Sequence, residues 1–109
     1  MRYFPNFRIA VAAIGMCLLP MAAVADAIDG TWCSPDGARS MQIHGPKMVT
    51  PGGHQVIGEY SRHAAAYDVP DGEAGAGKRT LIQLLSEDEA IVKLPEEPAA
   101  TWLRCQLNV

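Results

Sequence analysis

Hydrophobic and polar residues alternate in short runs over most of the chain, from about residue 28 onward. At residues 39–44, Met41 and Ile43 fall on one side and Ser40 and Gln42 on the other, which is the period of two expected of a half-buried strand. The same pattern predicts strands at residues 28–33, 47–50, 55–62, 64–69, 80–85, 90–94 and 101–107. Glycine, proline and aspartate between the runs predict turns. We therefore expect an all-β domain, a small antiparallel barrel or barrel-like sandwich of seven to eight short strands.

Two stretches leave an alternative open. Residues 81–94 also suit a helix, because acidic residues and leucines recur there, although β-branched residues favour two strands joined by an acidic turn. The strand at residues 55–62 either ends before Ala64 or continues through a bulge into residues 64–69. Residues 70–78, rich in glycine, form the longest predicted loop.

The first 27 residues have the composition of an export signal rather than of a domain. Two arginines are followed by an apolar run over residues 9–19, by Pro20, and by small residues through Ala27, which is the order of a secretory signal peptide. A retained membrane anchor needs about 20 unbroken apolar residues, and Pro20 interrupts this run. We expect cleavage after Ala27 or Ala25, leaving a domain at residues 28–109 that has no stable membrane span and is periplasmic or secreted.

Cysteine positions predict one disulfide. Cys17 lies in the apolar run of the signal, with lipid attachment there as the alternative, and Cys33 and Cys105 remain in the exported domain. Because that compartment is oxidising, the pair predicts a disulfide rather than two free thiols or half of a metal site. Such a bond brings the first and last strands together, which favours a barrel over an open sheet.

Charge and one motif bear on nucleic acids and nucleotides. The chain has 9 Lys and Arg against 12 Asp and Glu, so it lacks the basic surface that phosphate backbones require. Residues 72–78 fit G-x-x-x-x-G-K, the opening of a phosphate-binding loop, but Arg79 stands where that motif needs serine or threonine. We predict neither a nucleic-acid partner nor a nucleotide cofactor.

Residues that could hold a metal are few. The histidines, His44, His54 and His63, are not spaced one to four residues apart as paired metal ligands usually are. We predict no metal and no other cofactor, with His54 and His63 as the least unfavourable metal pair.

Candidate catalytic groups do not form a known motif. Ser61 and His63 would share a strand face, but no third group to orient them is evident, and Glu59, Asp68 and Glu73 are the carboxylates available for acid–base chemistry. Neither a nucleophile elbow nor H-E-x-x-H is present in the sequence. We predict that the protein is not an enzyme.

The densest group of polar and aromatic residues is Tyr60, Arg62, His63 and Tyr67. Such side chains are enriched at binding hot spots, so we predict a binding face there together with the loop at residues 70–78. The alternative, which these residues taken by themselves favour, is packing within a barrel with Arg62 paired to Glu59 or Glu73 at the rim.

Gly30-Thr31-Trp32 resembles the G-x-W that opens the first strand of lipocalins and related barrels. In those families the tryptophan closes the barrel bottom beneath a basic side chain from a late strand. The resemblance implies that role for Trp32 and Arg104.

A longer pattern resembles small uncharacterised exported proteins of Gram-negative bacteria. It consists of G-T-W-C at residues 30–33, G-x-Y-x-R-H-x-x-x-Y-x-x-P-x-G-E at residues 58–73 and W-x-R-C at residues 102–105. This resemblance brings no activity with it. Periplasmic protease and lysozyme inhibitors are similar in architecture only.

Together these features predict an exported, non-catalytic binding or inhibitor-like module. Its partner is expected to be an unknown protein or small ligand of the cell envelope. The alternatives are a structural or accessory envelope protein held in a complex and, less favoured, a periplasmic metal-binding protein.

Overall fold

The computed structural model describes residues 27–106, which form one antiparallel sheet of nine strands. The strands are β1 (Gly30–Cys33), β2 (Ser40–His44), β3 (Lys47–Val49), β4 (Gln55–Ile57), β5 (Glu59–Ser61), β6 (Ala64–Asp68), β7 (Arg79–Leu84), β8 (Glu89–Lys93) and β9 (Ala100–Arg104). The all-β prediction is confirmed. The helix alternative is wrong, because β7 and β8 pair as an antiparallel hairpin. The predicted signal, but for its last residue, lies outside the described residues.

The sheet curls into a nearly closed up-and-down barrel. Its strand order is β4-β3-β2-β1-β9-β8-β7-β6-β5, so every neighbouring pair is consecutive in the chain except β1 and β9. That pair joins the beginning of the domain to its end, with Trp32 opposite Arg104 and Cys33 opposite Leu103. Among the residues described, no helix is long and apolar enough to cross a membrane.

Gly58 completes the barrel wall by letting one stretch of chain change partners. β4 pairs with β3, and β5, directly after Gly58, pairs with β6. The Gly58 N–H donates to the Pro46 carbonyl at 2.8 Å, while a Cβ on Gly58 would overlap the Ala66 carbonyl oxygen. Only glycine allows this close passage. The predicted single strand at residues 55–62 is therefore two strands, which is why nine are present.

Alternation places one side of each strand inside the barrel, where side chains fill the interior. Met41 and Ile43 of β2 are 2% and 0% exposed, as the pattern predicts, and Ser40 and Gln42 are exposed. The core consists of Ile28, Trp32, Met41, Ile43, Met48, Ala65, Tyr67, Val69, Ile82, Ala90, Val92 and Trp102. An interior packed in this way is typical of barrels of about eight strands.

A disulfide fastens the first strand to the last, as predicted. Cys33 and Cys105 are bonded, with their Cα atoms 5.1 Å apart. Cys33 directly follows Trp32, which faces the core, so the bond lies on the outer side of the sheet. It reinforces the β1–β9 pairing without occupying space in the interior.

Candidate functional site

Because successive strands run in opposite directions, the connections fall at two ends of the barrel. The closed end comprises residues 27–29 and the short turns at 45–46, 62–63 and 85–88. The open end comprises four longer loops, at residues 34–39, 50–54, 69–78 and 94–99.

Arg104 ties the closed end together. Its guanidinium carbon lies 4.4 Å from the centroid of the Trp32 ring. The same group donates hydrogen bonds to the carbonyls of Asp29 at 2.7 Å and Ala27 at 2.8 Å, and to that of Glu87. One side chain therefore joins β9, the segment before β1 and the turn before β8.

The glycine of the G-x-W sequence leaves room for the Arg104 side chain, and the tryptophan contacts it. Gly30 has a φ of +132°, and a Cβ there would lie 2.6 Å from Arg104 Nη1, so a larger residue would displace the guanidinium. Trp32 Nε1 donates to the Ile28 carbonyl at 2.9 Å, which satisfies the polar atom of a fully buried ring. The structure thus places Trp32 and Arg104 in direct contact.

Three residues of the predicted binding face lie at the closed end. The Tyr60 hydroxyl donates to the Asp29 carboxylate, which raises the pKa of Tyr60 because the bond favours its protonated form. The carbonyls of Arg62 and His63 accept hydrogen bonds from the N–H groups of Ile28 at 2.7 Å and Leu84 at 2.8 Å. These residues take part in holding the closed end.

Tyr67 does not join them. It is 2% exposed and packs in the core near the open end, where burial raises the pKa of its hydroxyl and the neighbouring Thr80 hydroxyl opposes that rise. Thr80 Oγ1 is buried and makes no hydrogen bond of ordinary geometry within residues 27–106. The four predicted residues and the predicted loop at residues 70–78 therefore do not form a single surface.

The open end contains a cavity of about 310 Å³. Its walls are mainly apolar, from Pro51, Val69, Leu94 and Pro95, and Tyr67 lies against it. The charged side chains that line it are Arg39, Glu73 and Glu97. A volume near 300 Å³ is at the small end of the range for ligand sites in proteins.

Arg39 and Glu97 neutralise each other at one side of this cavity. The Arg39 guanidinium makes two parallel bonds to the Glu97 carboxylate, at 3.0 and 3.1 Å, and lies 5.7 Å from the centroid of the Trp102 ring. The pair lowers the pKa of Glu97 and raises that of Arg39, chiefly through these hydrogen bonds. Both oxygens of Glu97 are thereby engaged.

Glu73 lines another side and is held differently. Its Oε2 accepts a hydrogen bond from the buried Thr50 hydroxyl and lies 2.5 Å from His54 Nδ1. A Cβ on Gly52 would overlap the Glu73 carboxyl group, so glycine there makes room for it. The Glu73 side chain is 13% exposed, and within the described range its Oε1 makes no hydrogen bond. Glu73 thus joins the loop at residues 50–54 to that at residues 69–78. These loops adjoin β4 and β6, which are not hydrogen-bonded to each other in the sheet.

The remaining candidates are dispersed. His54 is at the open end and His63 at the closed end, and residues 27–106 contain no group of three metal-ligating His, Cys, Asp or Glu side chains. Ser61 Oγ donates to the Ala64 carbonyl at 3.3 Å. Arg79 binds both Glu59, at 2.7 Å, and Asp68, at 2.8 Å, on the outer surface.

The glycine-rich segment at residues 72–78 forms an irregular loop rather than a helix opening. Gly72, Gly75 and Gly77 have positive φ angles, and Lys78 pairs with Glu96 at 2.7 Å. β7, a strand, follows the segment. This geometry agrees with the prediction of a glycine-rich loop at these residues.

Sequence reasoning missed the open-end cavity. Arg39, Thr50 and Glu97 were not candidates, and His54 and Glu73 were considered only separately. The Pro51-Gly52-Gly53 turn was the one local signal, since paired glycines mark places where backbone and side chain approach closely.

Comparison with known proteins gives no match: no protein-family model, no curated protein and no solved structure is similar to this chain at a significant level.

Proposed function

We propose that the protein is a non-catalytic binding module that acts in the periplasm or after secretion, and that the open-end cavity holds its ligand. The observation that carries this proposal is the cavity of about 310 Å³, in which apolar walls surround a few fixed polar groups. Ligand sites generally combine these two features. The Cys33–Cys105 bond supports an oxidising location.

The structural difference between the two ends of the barrel supports placing the ligand at the open end. At the closed end, Arg104, Trp32 and Asp29 are engaged with backbone groups or with one another, so their polar atoms hold the fold. The open-end loops lie beyond the strands. Loops on a rigid scaffold are where binding residues concentrate.

The open-end loops are also fixed to one another. Arg39 and Glu97 join the loops at residues 34–39 and 94–99, while Lys78 and Glu96 join those at 69–78 and 94–99. Such preorganisation lowers the entropy lost on binding. A prearranged rim around a small cavity suits capture of a small molecule or of one side chain of a partner protein, as an inhibitor-like module would do.

A variant that fills the cavity tests the proposal. Ala74 is exposed and lines the cavity, so Ala74→Trp should obstruct it without disturbing the core. Ala76→Trp, in the same loop but outside the cavity lining, is the matched control. Native mass spectrometry of protein recovered from the envelope fraction or the medium should show a retained molecule on the wild type and the control, and none on Ala74→Trp. Equal retention by both variants, or a ligand-free wild type, would contradict the proposal.

A second candidate, an accessory protein of an envelope complex, is favoured by the outer surface. Leu81 and Leu103 are 52% and 51% exposed, and Leu81 borders a shallow groove floored by Ala64 and Ala66 on β6. Sedimentation at increasing concentration tests this candidate. Self-association that disappears in a Leu81→Ser, Leu103→Ser variant would support it, and a monomer at all concentrations would count against association through a second copy.

A further inference from the structure

We propose that the open-end cavity takes an ammonium group carried on an apolar stem, as in a lysine side chain or a free alkylamine. This inference rests on the proposed function, because it names the chemistry of the ligand for the same cavity. It follows from the way charge and apolar surface are distributed around that space.

The negative charge of the cavity is concentrated on Glu73. Glu97, the other carboxylate of the lining, is bonded through both oxygens to Arg39 and is thereby neutralised. Glu73 is bonded to Thr50 and His54, and no lysine or arginine forms an ion pair with it in the part of the chain that the structure describes. Within residues 27–106, the His54 imidazole is the only basic group that contacts the Glu73 carboxylate.

The Oε1 atom of the Glu73 carboxylate is free to accept a hydrogen bond from a ligand within the part of the chain that the structure describes. Thr50 and His54 both contact Oε2, which fixes the plane of the carboxylate, while Oε1 has no hydrogen-bond partner within residues 27–106. An ammonium group donating to Oε1 would make a charge-assisted bond, the stronger kind of hydrogen bond. The carboxylate needs little rearrangement to accept it.

The apolar walls of the cavity favour a ligand whose remaining part, apart from the charged head group, is apolar. Pro51, Val69, Leu94 and Pro95 offer no side-chain oxygen, whereas calcium requires six to eight oxygen ligands. Methylene groups of a lysine-like stem pack well on such walls. Tyr67 lines the same cavity and adds an aromatic side chain to its walls.

The loops around the cavity carry a net negative charge, which is opposite to the charge of the proposed ligand. The four loops of the open end carry more acidic than basic side chains, Asp36, Asp71, Glu73, Glu96 and Glu97 against Arg39 and Lys78. A cation therefore approaches a region of negative potential.

The test compares ligands that differ only in their head group. Titrations with n-hexylammonium and with 1-hexanol, followed by NMR shifts of the cavity residues, should show hexylammonium bound about tenfold more tightly. Glu73→Gln should remove that difference and leave hexanol binding unchanged. Glu59→Gln, on the outer surface, is the matched control and should bind both probes as the wild type does.

Further variants distinguish a failure of the cation inference from a failure of the proposed function. If both probes bind equally to the wild type, or if Glu73→Gln keeps the preference, the cation inference is overturned while the cavity remains a binding site. If Ala74→Trp binds hexylammonium as the wild type does, the probe binds elsewhere and the proposed function fails as well. Ala74→Trp leaves Glu73 in place, so this arm remains decisive if Glu73→Gln does not fold.

A last comparison identifies the source of the ammonium. A lysine-containing peptide that binds more tightly than hexylammonium, with its norleucine counterpart inactive, would assign the cavity to a side chain of a protein partner. The opposite order would assign it to a free amine. Failure of both the peptide and hexylammonium to bind would overturn the inference.

Discussion

Replacing Arg104 by methionine should destabilise the barrel, because this side chain joins three segments at the closed end. Of the hydrogen bonds that the guanidinium donates within residues 27–106, those to the carbonyls of Asp29 and Ala27 are partly buried, while the bond to Glu87 is exposed. At about 1.5 kcal/mol for each partly buried bond and about 1 kcal/mol for the contact with Trp32, the free energy of unfolding should fall by about 4 kcal/mol. Water replaces the exposed bond at little cost.

Urea denaturation followed by tryptophan fluorescence is a suitable assay, because the Trp32 ring lies directly beneath the guanidinium. Arg104→Lys keeps the charge but not the planar fork, so we expect it to lose about half as much stability. Arg79→Met is the control, since the carboxylates that pair with Arg79 are exposed and the change should alter stability little. An Arg104→Met variant within about 1 kcal/mol of the wild type would refute the reasoning, because a cost of that size would leave no room for the two partly buried bonds.

Three further perturbations have definite expected outcomes. Replacing Cys33 and Cys105 by serine opens a loop of about 73 residues, which the chain-entropy model values at about 4.4 kcal/mol; calorimetry should show Tm lower by about 20 °C. Gly58→Ala should lower the urea-unfolding free energy by about 2 kcal/mol, because its Cβ would overlap the Ala66 carbonyl oxygen. Burial raises the pKa of Tyr67 above its ordinary 10.0, so the unfolded chain loses that proton first and stability declines as pH rises past 10; Tyr67→Phe should make the decline shallower in urea titrations.

Each of these has a result that would count against it. An unchanged Tm in the double serine variant would mean that the cross-link does not restrict the unfolded chain as the entropy model requires. A Gly58→Ala variant as stable as the wild type would mean that β5 can move away from β6 without loss. Parallel pH curves for Tyr67→Phe and the wild type would mean that the tyrosine hydroxyl is not protected by the core.

The strands were predictable because burial on one side of a sheet imposes a period of two on the sequence, as at Met41 and Ile43. The disulfide was predictable because Cys33 and Cys105 are the only cysteines that follow the predicted signal in the sequence. The division of residues 55–62 was not, since it depends on how closely Gly58 approaches the backbone of β6.

The candidate site was harder to predict for a related reason. Tyr60 and Tyr67 are close in sequence, but the turn at residues 62–63 reverses the chain, and the length of β6 then separates the two side chains. The contacts that shape the open-end cavity join residues far apart, with sequence separations of 23 for Thr50 and Glu73 and 58 for Arg39 and Glu97. No local pattern specifies such pairs.

The pairing of β1 with β9 also determines the order in which the domain can be completed. Each of the other strand pairs joins neighbours along the chain and can form from a local hairpin, whereas Trp32 meets Arg104 only after the last strand exists. Non-local pairings of this kind slow folding, because the loop entropy is lost before the contacts are gained. A chain still being threaded through a translocation pore from its amino end would therefore lack its final strand and its disulfide. If the domain is exported as proposed, closure would follow only once all of it had emerged, and the topology would delay the native state until transport was over.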